Sequence, residues 1–401
     1  MEIIPYGKQN ITDDDISEVV SCLKSDYLTQ GPMVEKFEKS FSNYVDSKYA
    51  IAVSNGTAAL HLSVLALGLQ KGDKVITTPL TFAASANCIK YCGAEAIFVD
   101  IDPDTFLLDY NKVKKLIESS PKDAFKGIIT VNFAGRVNDK ERFKELVDKH
   151  NMWIVEDACH SPGGHFIDKS NNIQKSGNGR YSDTAIFSFH PVKHIATGEG
   201  GMITTNDYSL YEKILKLRTH GITKIKSNFL NDKTLAGSSL NENEYPLWYM
   251  EMQHLGFNYR LCDINSALGF SQLKSAGTKL NKRIEIAKIY NDFFSSKDYI
   301  INHSKYVAGH AYHLYVITVS NRKELYDFLR INKIFTQIHY FPCHLMPYYR
   351  NLGWKEGDCP NAEEYYKNCI SIPMYPELSE LQINYILLKI DQFYLNQNEN
   401  S

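Results

Sequence analysis

Apolar and polar positions change rhythm along the chain, and each rhythm predicts a different kind of element. At the start they recur at helical spacing. Thr12 precedes three aspartates, residue types that suit the positive end of a helix. Ile16, Val19, Val20 and Leu23 then form an apolar stripe, which predicts a first amphipathic helix. Val34, Phe37 and Phe41 predict a second. From residue 49 short continuous apolar runs alternate with helical ones: YAIAV, TAALHLSVLALGL, KVITTP, FAASANCIKYC and AIFVDI. GIITVN (127–132), WIVEDA (153–158) and TAIFSFH (184–190) continue the series, and MITTN from 202 with a helix at 207–218 ends it. Unbroken apolar runs predict strands buried on both faces. Their alternation with helices predicts an α/β domain with a mainly parallel sheet.

A third rhythm begins near residue 264. One long helical pattern runs to 295, INSALGFSQLKSAGTKLNKRIEIAKIYNDFF, and bridges to a sparser region. LYVITV (314–319), a helix near 322–330, FTQIHY (335–340) and a helix near 378–395 predict a smaller α+β domain. The expected division is therefore 1–263, an N-terminal segment with the large domain, and 264–401, the bridging helix with the small domain. The polar tail NQNENS is expected to fray.

Composition narrows the classes. A net charge of −2 supplies no basic field for nucleic acid or anionic lipid, and the short ITKIKS stretch (222–227) reads as a solvated loop. No run approaches the roughly 18 apolar residues of a membrane span. MEIIPYGKQN lacks the basic and apolar segments of a secretory signal. Eight cysteines lie scattered without a CxxC pair, and Cys88 and Cys92 suit helix packing better than ligation. A cytoplasmic protein without metal, nucleic-acid or membrane partners is the expectation.

Ligands of open parallel sheets bind beyond the carboxyl ends of the strands. After YAIAV comes Ser54-Asn55-Gly56-Thr57-Ala58, where free amides at a helix start can hold a phosphate; an ordinary cap is the other reading. After KVITTP comes Phe82, either a stacking platform or core. Asp157 ends a buried strand, with His160 three residues on, and a buried carboxylate needs a partner such as a pyridinium nitrogen. After TAIF come Ser188 and Lys193, followed by GEGG, whose glycines let backbone pass close to whatever the lysine holds. Phosphate cradle, aromatic plate, buried acid and strand-end lysine are together the requirements of pyridoxal phosphate.

The chain resembles the DegT/DnrJ/EryC1/StrS sugar aminotransferases, which are fold-type I pyridoxal-phosphate enzymes. The likeness runs from YLTQGPMVEKFE through SNGTAALHL, TTPLTFAASAN, VEDACHSPGG and SFHPVKHIATGEGGMITTND to RTHGI, GFNYRLCDINSALG, IHYFPCHLMPYY and SIPMYPELS. The resemblance implies Lys193 as the Schiff-base lysine and proton shuttle, Asp157 on the pyridine nitrogen, and His160 near the ring 3-hydroxyl. It implies Phe82 stacked on the ring, with Gly56, Thr57 and Ser188 on the phosphate. It further implies a homodimer with shared sites, in which Asn258 reaches the neighbouring subunit's phosphate. Leu28, Thr29, Gln30 and the loop around His339 are implied to face the nucleotide-sugar. His190 and His194 are expected to hydrogen-bond rather than catalyse.

The implied reaction moves an amino group from L-glutamate, leaving 2-oxoglutarate, to C4 of a UDP-linked 4-keto-6-deoxy-2-acetamido hexose, as in pseudaminic acid biosynthesis. LTQG, TTPLTF and SFHPVKHIATGEGG carry that narrower reading, while Leu80-Thr81 departs from the aromatic or serine-tyrosine stretch of many relatives. Other UDP-GlcNAc-derived sugars and GDP-perosamine-type substrates stay open. A sugar dehydratase of this family carries histidine in place of the lysine, which Lys193 argues against. A regulatory protein on the same fold would be expected to have lost parts of the constellation.

Overall fold

Seven predicted apolar runs join into one sheet in the computed structural model, which describes residues 2–237 and 244–398. The strands are β1 (Tyr49–Val53), β2 (Lys74–Thr77), β3 (Glu95–Phe98), β4 (Gly127–Val131), β5 (Trp153–Asp157), β6 (Thr184–Ser188) and β7 (Gly201–Thr205). Their order across the sheet is β1-β7-β6-β5-β4-β2-β3. β2, β3, β4, β5 and β6 pair in parallel. β7 runs antiparallel to both β6 and β1, so β1 points the same way as the parallel set. The carboxyl ends of six strands therefore share one edge.

Both faces of the sheet are covered, as continuous apolar strands require. Ile51, Val53, Ile129, Val155 and Ile203 pack on one side with the helices α3 (Gly56–Ala66) and α4 (Ala84–Tyr91). Ala50, Ala52, Phe187 and Met202 pack on the other against α2 (Pro32–Val45). Phe41 of α2 lies 4.8 Å from the Phe187 ring and 5.5 Å from Phe189. Truncating so enclosed a ring costs about 3–5 kcal/mol.

The first helix forms as its cap predicts but turns the other way. In α1 (Asp13–Leu23) the Thr12 hydroxyl accepts the Asp15 amide, and the Asp15 carboxylate accepts the Thr12 amide. Asp15 and Cys22 face inward, whereas Ile16, Val20 and Leu23 are exposed. The Gln272 amide, donating to Asp15 Oδ2 at 2.6 Å, explains the orientation: the buried carboxylate is satisfied there.

The pattern at 264–295 yields two helices, Asp263–Lys274 and Ala276–Phe294, separated at Ser275. The Ser275 hydroxyl donates to Gln272 O there, competing with the helical ladder. Beyond them β8 (Asn302–His303), β9 (Tyr315–Thr318) and β10 (Cys369–Ile372) form a three-stranded antiparallel sheet. Tyr290, Phe294, Ile317, Leu329, Ile370 and Ile386 build its core, which Ile4 also enters. FTQIHY forms no strand; Ile334 and Gln337 make single bridges to Ile4 and Ser371. The last helix, Glu380–Asn398, takes in the start of the polar tail, and residues 399–401 lie outside the described residues. No helix among the described residues is long and apolar enough to cross a membrane.

Candidate active site

Four strands end at the shared edge with the residue types that chemistry needs there. β1 runs into α3, whose N-cap Asn55 accepts the Ala58 amide at 2.8 Å. The amides of Gly56 and Thr57, earlier in the same turn, have no intrahelical acceptor. A side chain at Gly56 would place its Cβ 3.0 Å from Ser188 Cβ and 3.5 Å from Cys159 Sγ. Glycine thus keeps a concave cradle open between the helix start, the end of β6 and the turn after β5. Gly201 is equally constrained, since a Cβ there would come within 2.6 Å of the Asn55 carbonyl carbon.

β5 ends at Asp157, which is buried. Its carboxylate accepts the Ser85 hydroxyl at 2.7 Å and the Cys159 amide at 3.1 Å. Ser85 in turn shares a 2.8 Å hydrogen bond with the Thr81 hydroxyl. Oriented from two sides, the carboxylate keeps acceptor capacity for a cationic ring N–H. Phe82, at the start of α4, is 63% exposed, with its ring 6.3 Å from that of Tyr340. An aromatic left this open at a sheet edge suits a stacking plate.

Lys193 lies in a loop tied off by Phe189, whose amide donates to Gly200 O and whose carbonyl accepts the Thr197 amide. Burial pushes the ammonium below the ordinary lysine range, with Cys159 and Asp157 pulling partly the other way. A lysine must be neutral to attack a carbonyl, and this environment favours that form.

Histidines surround the lysine. His160 Nε2 lies 3.3 Å from the Tyr340 hydroxyl, and its ring sits 4.3 Å from that of His313. Its Nδ1 is buried without a partner among the described residues, an atom that a ligand hydroxyl could satisfy. Burial, then the charge of Lys193, holds His160 well below the ordinary imidazole range. His194, 5.7 Å from His313, is held down by burial and then by Arg283. His339 is pushed to about 3 by burial and Lys193. These rings are neutral at neutral pH and add no positive charge beside the amine.

Lys193, Asp157, His160, Ser188, Gly56, Thr57 and Phe82 all belong to segments at the one sheet edge. His339 is buried, with Nδ1 2.9 Å from the Ser371 hydroxyl, so its imidazole is enclosed rather than presented at the surface. Leu28, Thr29 and Gln30 are exposed. Asn258 is exposed too, and the carbonyl of neighbouring Tyr259 accepts the amide of its own chain's Ser54 at 2.8 Å. His190 is exposed, and its amide donates to Ser188 Oγ at 3.4 Å. The sequence reading did not pick out Ser85, His313 or Tyr340. Only Ser85 left a signal: it stands four residues after Thr81 in a strand-end segment, one helical turn on.

The donor set fits pyridoxal phosphate: a cradle a Cβ would fill, a carboxylate aimed by two donors, an open aromatic, an unpartnered imidazole nitrogen and a depressed lysine. The sequence profile of the DegT/DnrJ/EryC1/StrS aminotransferase family matches residues 9–391. The UDP-4-amino-4,6-dideoxy-N-acetyl-beta-L-altrosamine transaminase of Campylobacter jejuni subsp. jejuni serotype O:2 is 34% identical over 94% of both chains. The GDP-perosamine synthase of Escherichia coli O157:H7 is 33% identical over 98% of this chain and 99% of that one. Among solved structures, Helicobacter pylori PseC, an aminotransferase involved in the biosynthesis of pseudoaminic acid, superposes with a TM-score of 0.84 at 27% identity. It covers 98% of this chain and 99% of its own. Streptococcus pneumoniae Spr1654 in its PLP-form gives 0.83 at 28% identity, over 96% and 97% of the two chains. With a family match spanning nearly its whole length, the chain belongs to the DegT/DnrJ/EryC1/StrS aminotransferase family and is a pyridoxal-phosphate-dependent sugar aminotransferase.

Proposed function

We propose that this enzyme moves the amino group of L-glutamate to C4 of UDP-2-acetamido-2,6-dideoxy-β-L-arabino-hexos-4-ulose. The products are 2-oxoglutarate and UDP-4-amino-4,6-dideoxy-N-acetyl-β-L-altrosamine. The observation that carries an amino-transfer reading is the set of strand ends placing Lys193, the Ser85–Asp157 pair and the Gly56 cradle on one edge. The particular sugar draws support from LTQG, TTPLTF and SFHPVKHIATGEGG and from the Campylobacter and Helicobacter relatives. The E. coli perosamine synthase matches about as well, and it favours a GDP-linked 4-keto sugar as the second reading.

Pyridoxal phosphate, when bound, supplies an aldehyde that carries the amino group and a ring that draws electrons from the adjoining carbon. The Gly56 and Thr57 amides with the Ser188 hydroxyl would hold the phosphate, and Phe82 would cover the ring. Asp157, aimed by Ser85 and Cys159, would keep a proton at the ring nitrogen. His160, with its unpartnered Nδ1, would face the ring hydroxyl. Lys193 takes the proton from the glutamate α-carbon and delivers one to C4 of the sugar, acting as base and then as acid. Leu28, Thr29, Gln30 and the His339 loop receive the nucleotide-sugar.

The working form in this reading is a homodimer with Asn258 on the partner's phosphate site. Exposed Ile16, Val20 and Leu23, and exposed Leu247, Trp248, Met252 and Leu255 just before Asn258, give it apolar surface to bury. Eight free cysteines accord with a reducing cytoplasm. The test is purified enzyme with glutamate against a panel of UDP- and GDP-4-keto-6-deoxy sugars, read by product mass. The L-arabino UDP sugar is expected to give the highest kcat/KM. Stronger activity on the D-configured or GDP-linked sugars would replace the substrate and leave the enzyme class standing.

A further inference from the structure

The turn leading into the helix Asp263–Lys274 touches three parts of the site at once. At its start, Tyr259 O accepts the Ser54 amide at the foot of the phosphate cradle. At its end, Asn265 Nδ2 donates to Thr197 O at 2.5 Å and lies 3.3 Å from Glu199 O, both in the turn that follows Lys193. Between them stands Asp263, wholly buried. Its carboxylate accepts the Gly31 amide at 2.6 Å and the Met33 amide at 2.9 Å, and its own amide donates to Leu28 O at 3.0 Å.

These bonds grip a surface loop from beneath. Leu28, Thr29 and Gln30 are exposed, yet the backbone on both sides of them is fastened to one buried residue. Gly31 permits the approach, because a Cβ there would come within 2.8 Å of Asp263 Oδ1 and 2.4 Å of Tyr27 Cβ. Gln30 adopts a left-handed φ of 57°, a conformation that side chains resist and that persists only where the surroundings over-determine it. A charged acceptor on two amides at the positive end of α2 supplies that determination. The segment 259–265 thus joins the substrate loop, the lysine turn and the cradle through its backbone and the side chains of Asp263 and Asn265.

We propose that Asp263 is a positioning residue for the sugar-nucleotide substrate, holding the Leu28–Gln30 loop in register with the lysine turn that Asn265 secures. This rests on the reading above that the loop receives the nucleotide-sugar. It gives the two residues different duties. Asp263 governs where the sugar sits, and Asn265 governs the segment carrying Lys193, which both halves use.

The two half-reactions can be measured apart, since glutamate converts the bound cofactor without any sugar present. In Asp263→Asn one amide keeps its acceptor while the other faces an NH2 group. The KM for the best keto-sugar nucleotide of the panel is expected to rise about tenfold or more. The glutamate half-reaction, followed by absorbance, should stay within about twofold of wild type. Amide exchange at Gly31 and Met33 should speed up about tenfold or more. Asn265→Ala is expected to show a different pattern, slowing both half-reactions and leaving the sugar KM within about twofold. Asp263→Ser replaces the asparagine variant if that one is recovered unfolded. In the Asp263 variant, both half-reactions falling together, an unchanged sugar KM, or unchanged exchange at Gly31 and Met33 would each overturn the proposal. A wild-type enzyme inactive on every panel sugar overturns the substrate reading instead, and that is seen before any variant is compared.

Discussion

In the proposed mechanism Lys193 has to shed its proton before it can act, and burial lowers its pKa in that direction. Lys193→Ala is expected to abolish turnover while the protein keeps its fold and still binds pyridoxamine phosphate. Product assays, circular dichroism and retention of the pyridoxamine chromophore on gel filtration check the three parts. In the proposed mechanism Asp157 serves by charge rather than shape. Asp157→Asn can still accept from Ser85 or the Cys159 amide, but it cannot hold a ring-nitrogen proton. Its kcat should fall more than about tenfold, roughly 1.4 kcal/mol of barrier, with the cofactor still bound. Retained activity would move that role to another residue. The placement of Lys193, Asp157, Ser188 and Gly56 at strand ends was legible because each follows a run of apolar residues, and strand ends are where such sheets bind ligands. Ser85, His313 and Tyr340 were not, because they arrive by tertiary approach from α4 and from loops around the second sheet. For His313 and Tyr340 no spacing along the chain records that approach, and for Ser85 only its place one helical turn after Thr81 does.

At the level of elements, the strands read directly from sequence because burial on both faces favours runs of mostly apolar side chains. Helices read less well where polar groups decide their facing. Asp15 and Gln272 turn α1 so that its apolar stripe stays outside, and Ser275 splits a pattern that looks continuous. The start of α3 shows what local geometry demands of one position. Gly56→Ala keeps a helix-compatible residue, but its Cβ would press on Ser188 at 3.0 Å and half-fill the cradle. The thermal midpoint without cofactor should therefore change little, while the Kd for pyridoxal phosphate rises about tenfold or more, as expected when charge-assisted bonds to a phosphate are displaced. Titration by absorbance measures it. A large loss of stability with unchanged cofactor affinity would make Gly56 a packing residue only.

The whole molecule adds two expectations that no single element holds. Its buried histidines titrate with folding: His310 and His339 are both pushed to about 3 by burial, far below the ordinary value. Each binds its proton more readily unfolded. Their stabilisation is therefore complete above about pH 6.5 and is lost as pH falls from there toward 3, at about 1.4 kcal/mol per pH unit for each proton. Stability from urea titration should drop across that window, and His310→Gln should flatten the slope by about one proton. The second expectation concerns where the site ends. Asn258 is exposed while Tyr259 beside it binds Ser54 of the same chain, so the segment lies near its own cradle and open to a neighbour as well. Mixing chains separates the two arrangements. Lys193→Ala and Asn258→Ala are each expected to be nearly inactive alone. If Asn258 serves the partner's site, a hybrid dimer gathers both lesions in one site and leaves the other intact. Random assortment makes half the dimers hybrid, so co-refolding should restore roughly a quarter of wild-type activity. If Asn258 serves its own chain's site, every site in the mixture carries one lesion and nothing returns. Recovery near zero, with hybrids demonstrated by differently tagged chains, would assign a complete site to each subunit.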